Sequence, residues 1–196
     1  MMDKLIKTTE IIEKKLEKFY ELHLNCQVNL TAIKEKEEFY LKHYFDSIYY
    51  FQQYEAPQVC LADIGSGGGF PGIVLGIFYP ELKITLIESI GKKCRFLEES
   101  AKVLELENIE ILNMRVENIK DRNFDIITAR GVSTVKELLK NSFQISKQNT
   151  KWVMYKGERL DKELKEALPV IEKRGLNVEQ IRIESPITRT YCIISR

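Results

Sequence analysis

The sequence predicts an α/β protein, a doubly wound and mostly parallel sheet preceded by an N-terminal helical extension. Three observations predict it. From Val59 onward short apolar runs alternate with amphipathic helical stretches. Between the first run and the first such helix lies a glycine-dense turn, Asp63 to Gly72, reading DIGSGGGFPG. Before Val59 the apolar residues recur at helical spacing, with Lys and Glu between them.

The extension takes residues 1–57 and the core residues 58–196. A helix is expected over 3–24, because Leu5, Thr9, Ile12, Leu16 and Phe19 alternate spacings of four and three. That stripe needs a surface, so the helix should dock on the core. A second helix is expected from about Glu35 to Tyr54, and Ala56-Pro57 closes the extension. In the core, strand 59–64 leads to helix 71–79, stopped by Pro80; strand 82–87 leads to helix 91–106. Strand 109–113 follows, then the apolar run Phe124–Thr128, a helix over 134–145, strand 151–155 and a charged helix over 159–174. Residues 176–183 and 190–195 alternate as strands around Pro186, with no helix between them, which predicts one antiparallel strand at the sheet edge.

At 196 residues, 44% apolar and 30% charged, the chain has the make-up of one globular domain. It has no 18-residue apolar stretch and no signal-peptide core, so no membrane partner is expected and the cytoplasm is the expected location. Its four cysteines, Cys26, Cys60, Cys94 and Cys192, form no CxxC pair, which argues against a zinc site or disulfide framework. A net charge of +1 does not suggest bulk capture of nucleic acid, though it leaves room for a local basic face.

The turn carries the chemistry. Gly65 and Gly67 let the backbone bend and let a ligand approach without a Cβ in the way. Pro71 fits the start of the next helix, whose free N–H groups could floor a ligand site. Asp63 narrows the ligand. A dinucleotide places a pyrophosphate at this turn, which a carboxylate repels, whereas S-adenosylmethionine carries an ammonium and a sulfonium that a carboxylate attracts. Phe70 points the same way, because the dinucleotide fingerprint wants a small residue there.

Ligands of such sheets sit beyond the carboxyl ends of the strands. Glu88 ends the second strand, about twenty residues past the glycines, where an acid can accept from both ribose hydroxyls; the plainer role is a solvated helix-start carboxylate. Val116, after the third strand, could lie against adenine. Arg130 ends the fourth run, beside the cofactor's methionine end or the acceptor, or simply on the surface. His43 and Asp46 lie one turn apart on a helix, as an acid–base pair or as a surface hydrogen bond.

The segments NLTAI (Asn29–Ile33), KHYFDS (Lys42–Ser47), DIGSGGGFPG, ESIGKKCRFL (Glu88–Leu97), RVEN (Arg115–Asn118), FDIITAR (Phe124–Arg130) and YKG (Tyr155–Gly157) follow in order. Together they closely resemble the glucose-inhibited division protein B family, bacterial 16S ribosomal RNA guanine-N7 methyltransferases, from about residue 25 to the last strand. The resemblance implies a seven-stranded Rossmann-like methyltransferase sheet, S-adenosylmethionine as cofactor, and 16S ribosomal RNA or a 30S precursor as partner, met by a monomer. It places cofactor contacts on Gly65, Phe70, Val116, Glu117 and Arg130, beside Asp63, Gly67 and Glu88 from the residue reading. Two departures are Gly131, where the family more often has Ala, and the ending Ser195-Arg196.

Guanine N7 carries no proton at neutral pH, so transfer to it needs no general base, and catalysis is expected to be positional. Arg130 and Glu117 are the candidate catalytic residues; Glu117 or Asp63 would favour the positive charge arriving on the guanine. A-form RNA hides N7 in a narrow groove, so the target should be unpaired or splayed from the stack. Lys92, Lys93 and Arg95, then Lys156, Arg159 and Arg189, are candidate phosphate contacts or else solvated surface charges. The competing functions are methylation of a small molecule or protein, a non-catalytic RNA-binding assembly factor, and an NAD-dependent oxidoreductase, which Asp63 and Phe70 disfavour.

Overall fold

A computed structural model describes residues 7–53 and 59–196. The extension begins with α1, Glu10–Asn25, whose N-cap Thr9 accepts a hydrogen bond from the Ile12 N–H. Its inward face is Leu16, Phe19, Tyr20 and His23. The expected start at residue 3 falls partly outside the described residues, and Thr9 is a cap rather than part of the stripe. The second helix forms in three pieces: α2 (Lys36–Phe39), a π-helical stretch over Tyr40–Phe45, and α3 (Asp46–Gln53). Tyr54 and Ala56-Pro57 lie outside the described residues. The wider π turn shifts the phase of the helix, so that His43, Tyr44, Phe45, Asp46 and Ser47 are all buried.

The core runs β1 (Cys60–Ile64), α4 (Gly72–Phe78), β2 (Lys83–Glu88), α5 (Gly91–Val103), β3 (Ile109–Asn113), β4 (Phe124–Arg130), α6 (Val135–Ser142), β5 (Ser146–Lys156), α7 (Leu160–Arg174), β6 (Asn177–Ile183) and β7 (Arg189–Ser195). The seven strands are ordered β3-β2-β1-β4-β5-β7-β6. The first five are mutually parallel, and β7 is antiparallel to both β5 and β6. The antiparallel strand is therefore not the edge, as expected from sequence, but lies one place in; β6 takes the edge. The tight connection through Pro186 lets β7 turn back beside β6, and the gap next to β5 is filled by the same strand.

Side chains alternate between two cores, as a sheet covered on both faces requires. Leu61, Leu86, Val153, Tyr155 and Tyr191 face the extension, α4 and α5. Ala62, Ile87, Ile127, Trp152 and Cys192 face α6 and α7. The extension is bound into the first core by its hydroxyls as well as its apolar face: Tyr44 donates to the Leu16 carbonyl at 2.8 Å, and Tyr155 to the Ser47 carbonyl at 2.7 Å. No helix among the described residues is long and apolar enough to cross a membrane.

Candidate functional site

The glycine turn is built from its own backbone and two acids. Gly65 N–H donates back to the Ile87 carbonyl at 2.7 Å, and Gly69 N–H to the Ser66 carbonyl at 2.7 Å. Gly65 has φ +66°, and a Cβ on it would lie 2.5 Å from a Val132 methyl, so no larger residue fits without moving that wall. Gly67 has φ +56°, but a Cβ there would meet only the Gly65 carbonyl oxygen, at an ordinary 3.6 Å, so the tight position is Gly65.

Asp63 lies beneath the turn and is fully buried. One carboxylate oxygen accepts from the Thr128 hydroxyl at 2.9 Å and the other from Gly72 N–H at 3.2 Å. Burial pushes its pKa up to about 6, against the pull of those hydrogen bonds. It therefore braces the turn rather than meeting a ligand's cation directly, and the N–H expected to floor the ligand at Gly72 is spent on it. Phe70 is also turned away. Its ring stacks on His43 at 4.3 Å and on His23 at 5.0 Å, filling the space between turn and extension.

A cavity of about 310 Å³ opens beyond the ends of β1, β2 and β3. Gly65, Glu88, Val116 and Glu117, each expected from sequence at a cofactor site, all line it. Asp63, Gly67, Phe70 and Arg130 do not. Glu88 is oriented by the turn itself, accepting from Gly67 N–H at 3.1 Å and Ile90 N–H at 2.8 Å. Each of its oxygens keeps a lone pair for a further donor. Val116 is buried and supplies an apolar wall, while Glu117 is exposed at the rim. Lys93, grouped with the phosphate contacts from sequence, lines this cavity instead; Lys92 and Arg95 are exposed on the same helix. Val132, Ser133 and Asn141 also line it, and none was singled out from sequence. Met114 could have been found, since it directly follows the end of β3; Asn141 is brought in by α6 and leaves no local signal.

Arg130 points the other way, into a second cavity of about 1150 Å³. Its guanidinium lies 4.9 Å above the Phe70 ring and donates to Asp46 and to the Lys42 carbonyl, each at 3.1 Å. It also meets His43 Nδ1 at 3.1 Å. A guanidinium can only donate, so Nδ1 is the acceptor and the ring proton sits on Nε2, which donates to Thr31 Oγ1 at 2.8 Å. Burial first, then Arg130, pulls the His43 pKa down to about 3. His43 and Asp46 are thus no acid–base pair; each is bound to Arg130.

Asp46 is fully buried and also receives a forked pair from Arg189, at 2.7 and 2.8 Å. Lys156 donates to Glu163 and to the Ser133 carbonyl, both at 2.7 Å. Arg189 and Lys156, expected from sequence as phosphate contacts or solvated charges, are each held by a carboxylate. Arg159 lines the same cavity. The two cavities share one wall, Gly131, Val132 and Ser133.

A family profile described as rRNA small subunit methyltransferase G (GidB) matches residues 12–189. The chain belongs to this family. The protein of that name from Mycoplasma capricolum is 37% identical over 175 residues, which cover 87% of this chain and 76% of that protein. The one from Oceanobacillus iheyensis is 38% identical and covers 97% of this chain and 86% of its own length. Among solved structures, a ribosomal protein L11 methylase from Lactobacillus delbrueckii superposes with a TM-score of 0.63 at 14% identity, over 79% of this chain and 78% of that one. An Aquifex aeolicus SAM-dependent methyltransferase gives 0.60 at 15% identity, over 80% and 92%. At those identities the structures bear on the fold alone, which is the Rossmann-like methyltransferase sheet.

Proposed function

We propose that this member of the rRNA small subunit methyltransferase G family methylates N7 of one guanine in 16S ribosomal RNA, as a monomer acting in the cytoplasm on a 30S precursor. Family membership makes it an S-adenosylmethionine-dependent methyltransferase of small-subunit ribosomal RNA. The observation that carries the finer reading is the pair of cavities divided by Gly131–Ser133, one lined by Glu88, apolar side chains and a balanced rim of charges, the other by more cations than acids.

The first cavity fits the cofactor. Glu88, with a free lone pair on each oxygen, suits a ligand with ribose hydroxyls; Val116 suits the face of a base, and Glu117, Lys93 and Arg115 supply charges of both signs at the mouth. When bound, S-adenosylmethionine supplies a methyl group on a sulfonium, a leaving group that needs no protonation. The chain's residues then have three tasks. Glu88 and the turn orient the donor from one side. Arg130, seated on Phe70 and tied to Asp46, faces the acceptor from the other. The shared wall excludes water from the passage between them.

No base is required at N7, and neither His43, held neutral, nor Asp46, held by two arginines, is free to act as one. The acceptor cavity is wide enough for a splayed nucleotide. Lys92 and Arg95, exposed on α5, remain the side chains placed to meet phosphates outside the cavities.

The test is transfer of labelled methyl from S-adenosylmethionine to 30S particles from cells lacking the protein, with mapping of the modified base. Label at one guanine, with the strand-cleavage chemistry of N7-methylguanine, is the expected result. Label at another atom or base overturns the reading.

A further inference from the structure

The floor of the acceptor cavity carries an uneven set of ion pairs. Asp46 is wholly buried and is shared by two guanidiniums, Arg130 on β4 and Arg189 on β7. Beside them Lys156 is matched by Glu163. Two guanidiniums thus share one ion-pair partner, while Asp63, the further carboxylate within electrostatic reach of Arg130, is hydrogen-bonded to Thr128 and Gly72 instead. The Arg130 and Arg189 side chains are 15% and 23% exposed, toward the cavity, while the carboxylate they share is 0% exposed beneath them. His43 adds no charge, since it is a neutral acceptor of one Arg130 N–H.

Holding two guanidiniums against one carboxylate in a largely covered layer leaves N–H groups that an anion could satisfy. The arrangement is fixed with some care. Tyr191 donates to the Asp46 carbonyl at 2.9 Å, and Tyr155 pins the next residue, Ser47, at 2.7 Å. The π turn ahead of Asp46 sets the phase that brings its side chain inward. A purely structural bridge between extension and sheet would need one arginine for one aspartate.

We propose that Arg130, Arg189 and Asp46 form an oxyanion clamp in the acceptor cavity, in which Asp46 is a positioning residue that holds both guanidiniums toward the ligand. The inference rests on the proposed function for the nature of the ligands. Two of them carry a suitable oxyanion: the phosphodiester next to the target guanine and the carboxylate of the methyl donor. Both would be met by N–H groups that the present contacts leave unused.

The decisive variant is Arg189→Met, which leaves Asp46 paired one-to-one with Arg130 and so removes the second guanidinium without orphaning the carboxylate. Two readings separate the sources. Binding of unmodified 16S ribosomal RNA at 50 to 200 mM KCl, as examples of low and high salt, should weaken about tenfold, with the log–log salt slope reduced by about one, if the anion is a phosphodiester. If it is the donor's carboxylate, S-adenosylhomocysteine should lose about tenfold in affinity while 5′-methylthioadenosine, which lacks that group, is unchanged.

Either outcome supports the clamp. Unchanged RNA binding, salt slope and S-adenosylhomocysteine affinity in folded Arg189→Met overturns it. Asp46→Glu tests positioning, since it keeps the charge and shifts both guanidiniums by about one methylene. Transfer to 30S particles should then fall about tenfold in kcat at unchanged melting temperature; full activity would remove the positioning role. If wild-type protein fails to label guanine N7, the proposed function fails, but the binding readings still decide the clamp.

Discussion

The two cavities are made in different ways. The proposed cofactor cavity is local: Gly65, Gly67, Glu88 and Ile90 come from two adjacent βα turns, joined by the Gly65–Ile87 backbone hydrogen bond and by main-chain N–H groups donating to the Glu88 carboxylate. The proposed acceptor cavity is assembled from far apart in the chain, with Asp46 bonding Arg130 across 84 positions and Arg189 across 143. One is built from main chain and glycine, the other from side-chain charge. Damage to each should therefore look different, in cofactor affinity on one side and in stability or RNA-dependent rate on the other.

The largest effect is expected at the turn. Gly65→Val places a Cβ 2.5 Å from the Val132 methyl at φ +66°, so both wall and backbone must shift. Cofactor affinity should fall about 1000-fold, roughly 4 kcal/mol, by calorimetric titration with S-adenosylhomocysteine. RNA binding by filter assay should hold within about threefold. A matching loss of RNA binding would break the division between the cavities.

Acid should act mainly through the extension. Burial holds His23 down at about 4 and His43 at about 3, against an ordinary 6.5. The His23 ring has both nitrogens 2.9 Å from carbonyl oxygens, which favours its protonation, but burial outweighs them. Between pH 6.5 and those values the native state binds fewer protons than the unfolded chain. Their stabilisation is thus complete above 6.5 and lost as pH falls through the window. From pH 7 to 5 each histidine should cost about 2 kcal/mol. Asp63, raised to about 6, binds its proton first in the native state and offsets about 1 kcal/mol of this. Urea unfolding should show a net loss of about 3 kcal/mol, and His43→Asn should flatten the slope. A pH dependence untouched by that variant would place the sensitivity elsewhere.

Much of the cofactor side could be read from the chain because its geometry follows local rules. A strand end, a glycine turn and an acid at the next strand end fix Gly65, Glu88 and Val116 with no knowledge of tertiary contacts. Asp63 and Phe70 were legible as unusual residues but not in their direction. Sequence does not say whether a side chain beside a turn points into the mouth or under the floor, and here the extension packs over Phe70. The acceptor side was legible in identity only. His43, Asp46, Arg130, Lys156 and Arg189 could all be named, yet their pairing depends on a π turn and on β7 entering beside β5. Neither has a periodic signature that charge spacing reveals.

Arg130→Ala tests the second cavity alone. Asp46 keeps Arg189 as its partner, so folding should survive, while the guanidinium over Phe70 is lost. We expect kcat/KM with 30S particles to fall about 30-fold, roughly 2 kcal/mol, with cofactor affinity changed by less than about threefold. Should affinity fall in step with rate, Arg130 reaches across the shared wall, and the two cavities act as one site.

The smallest effect separates the two roles of Glu88. Its oxygens already accept from Gly67 and Ile90, so the side chain could be no more than a brace for the turn. In Glu88→Gln one of those N–H groups would face an amide NH₂, and the remaining oxygen could serve one ligand hydroxyl instead of two. Affinity for S-adenosylhomocysteine should fall about tenfold, roughly 1.4 kcal/mol. The ribose tells the roles apart. The 2′-deoxy analogue should bind the wild type about tenfold more weakly than the parent, and bind Glu88→Gln almost as well as the parent does, because the group that read the hydroxyl is already compromised. If removing the hydroxyl costs the same in both proteins, Glu88 braces the turn, and recognition of the ribose belongs to the backbone around Gly65.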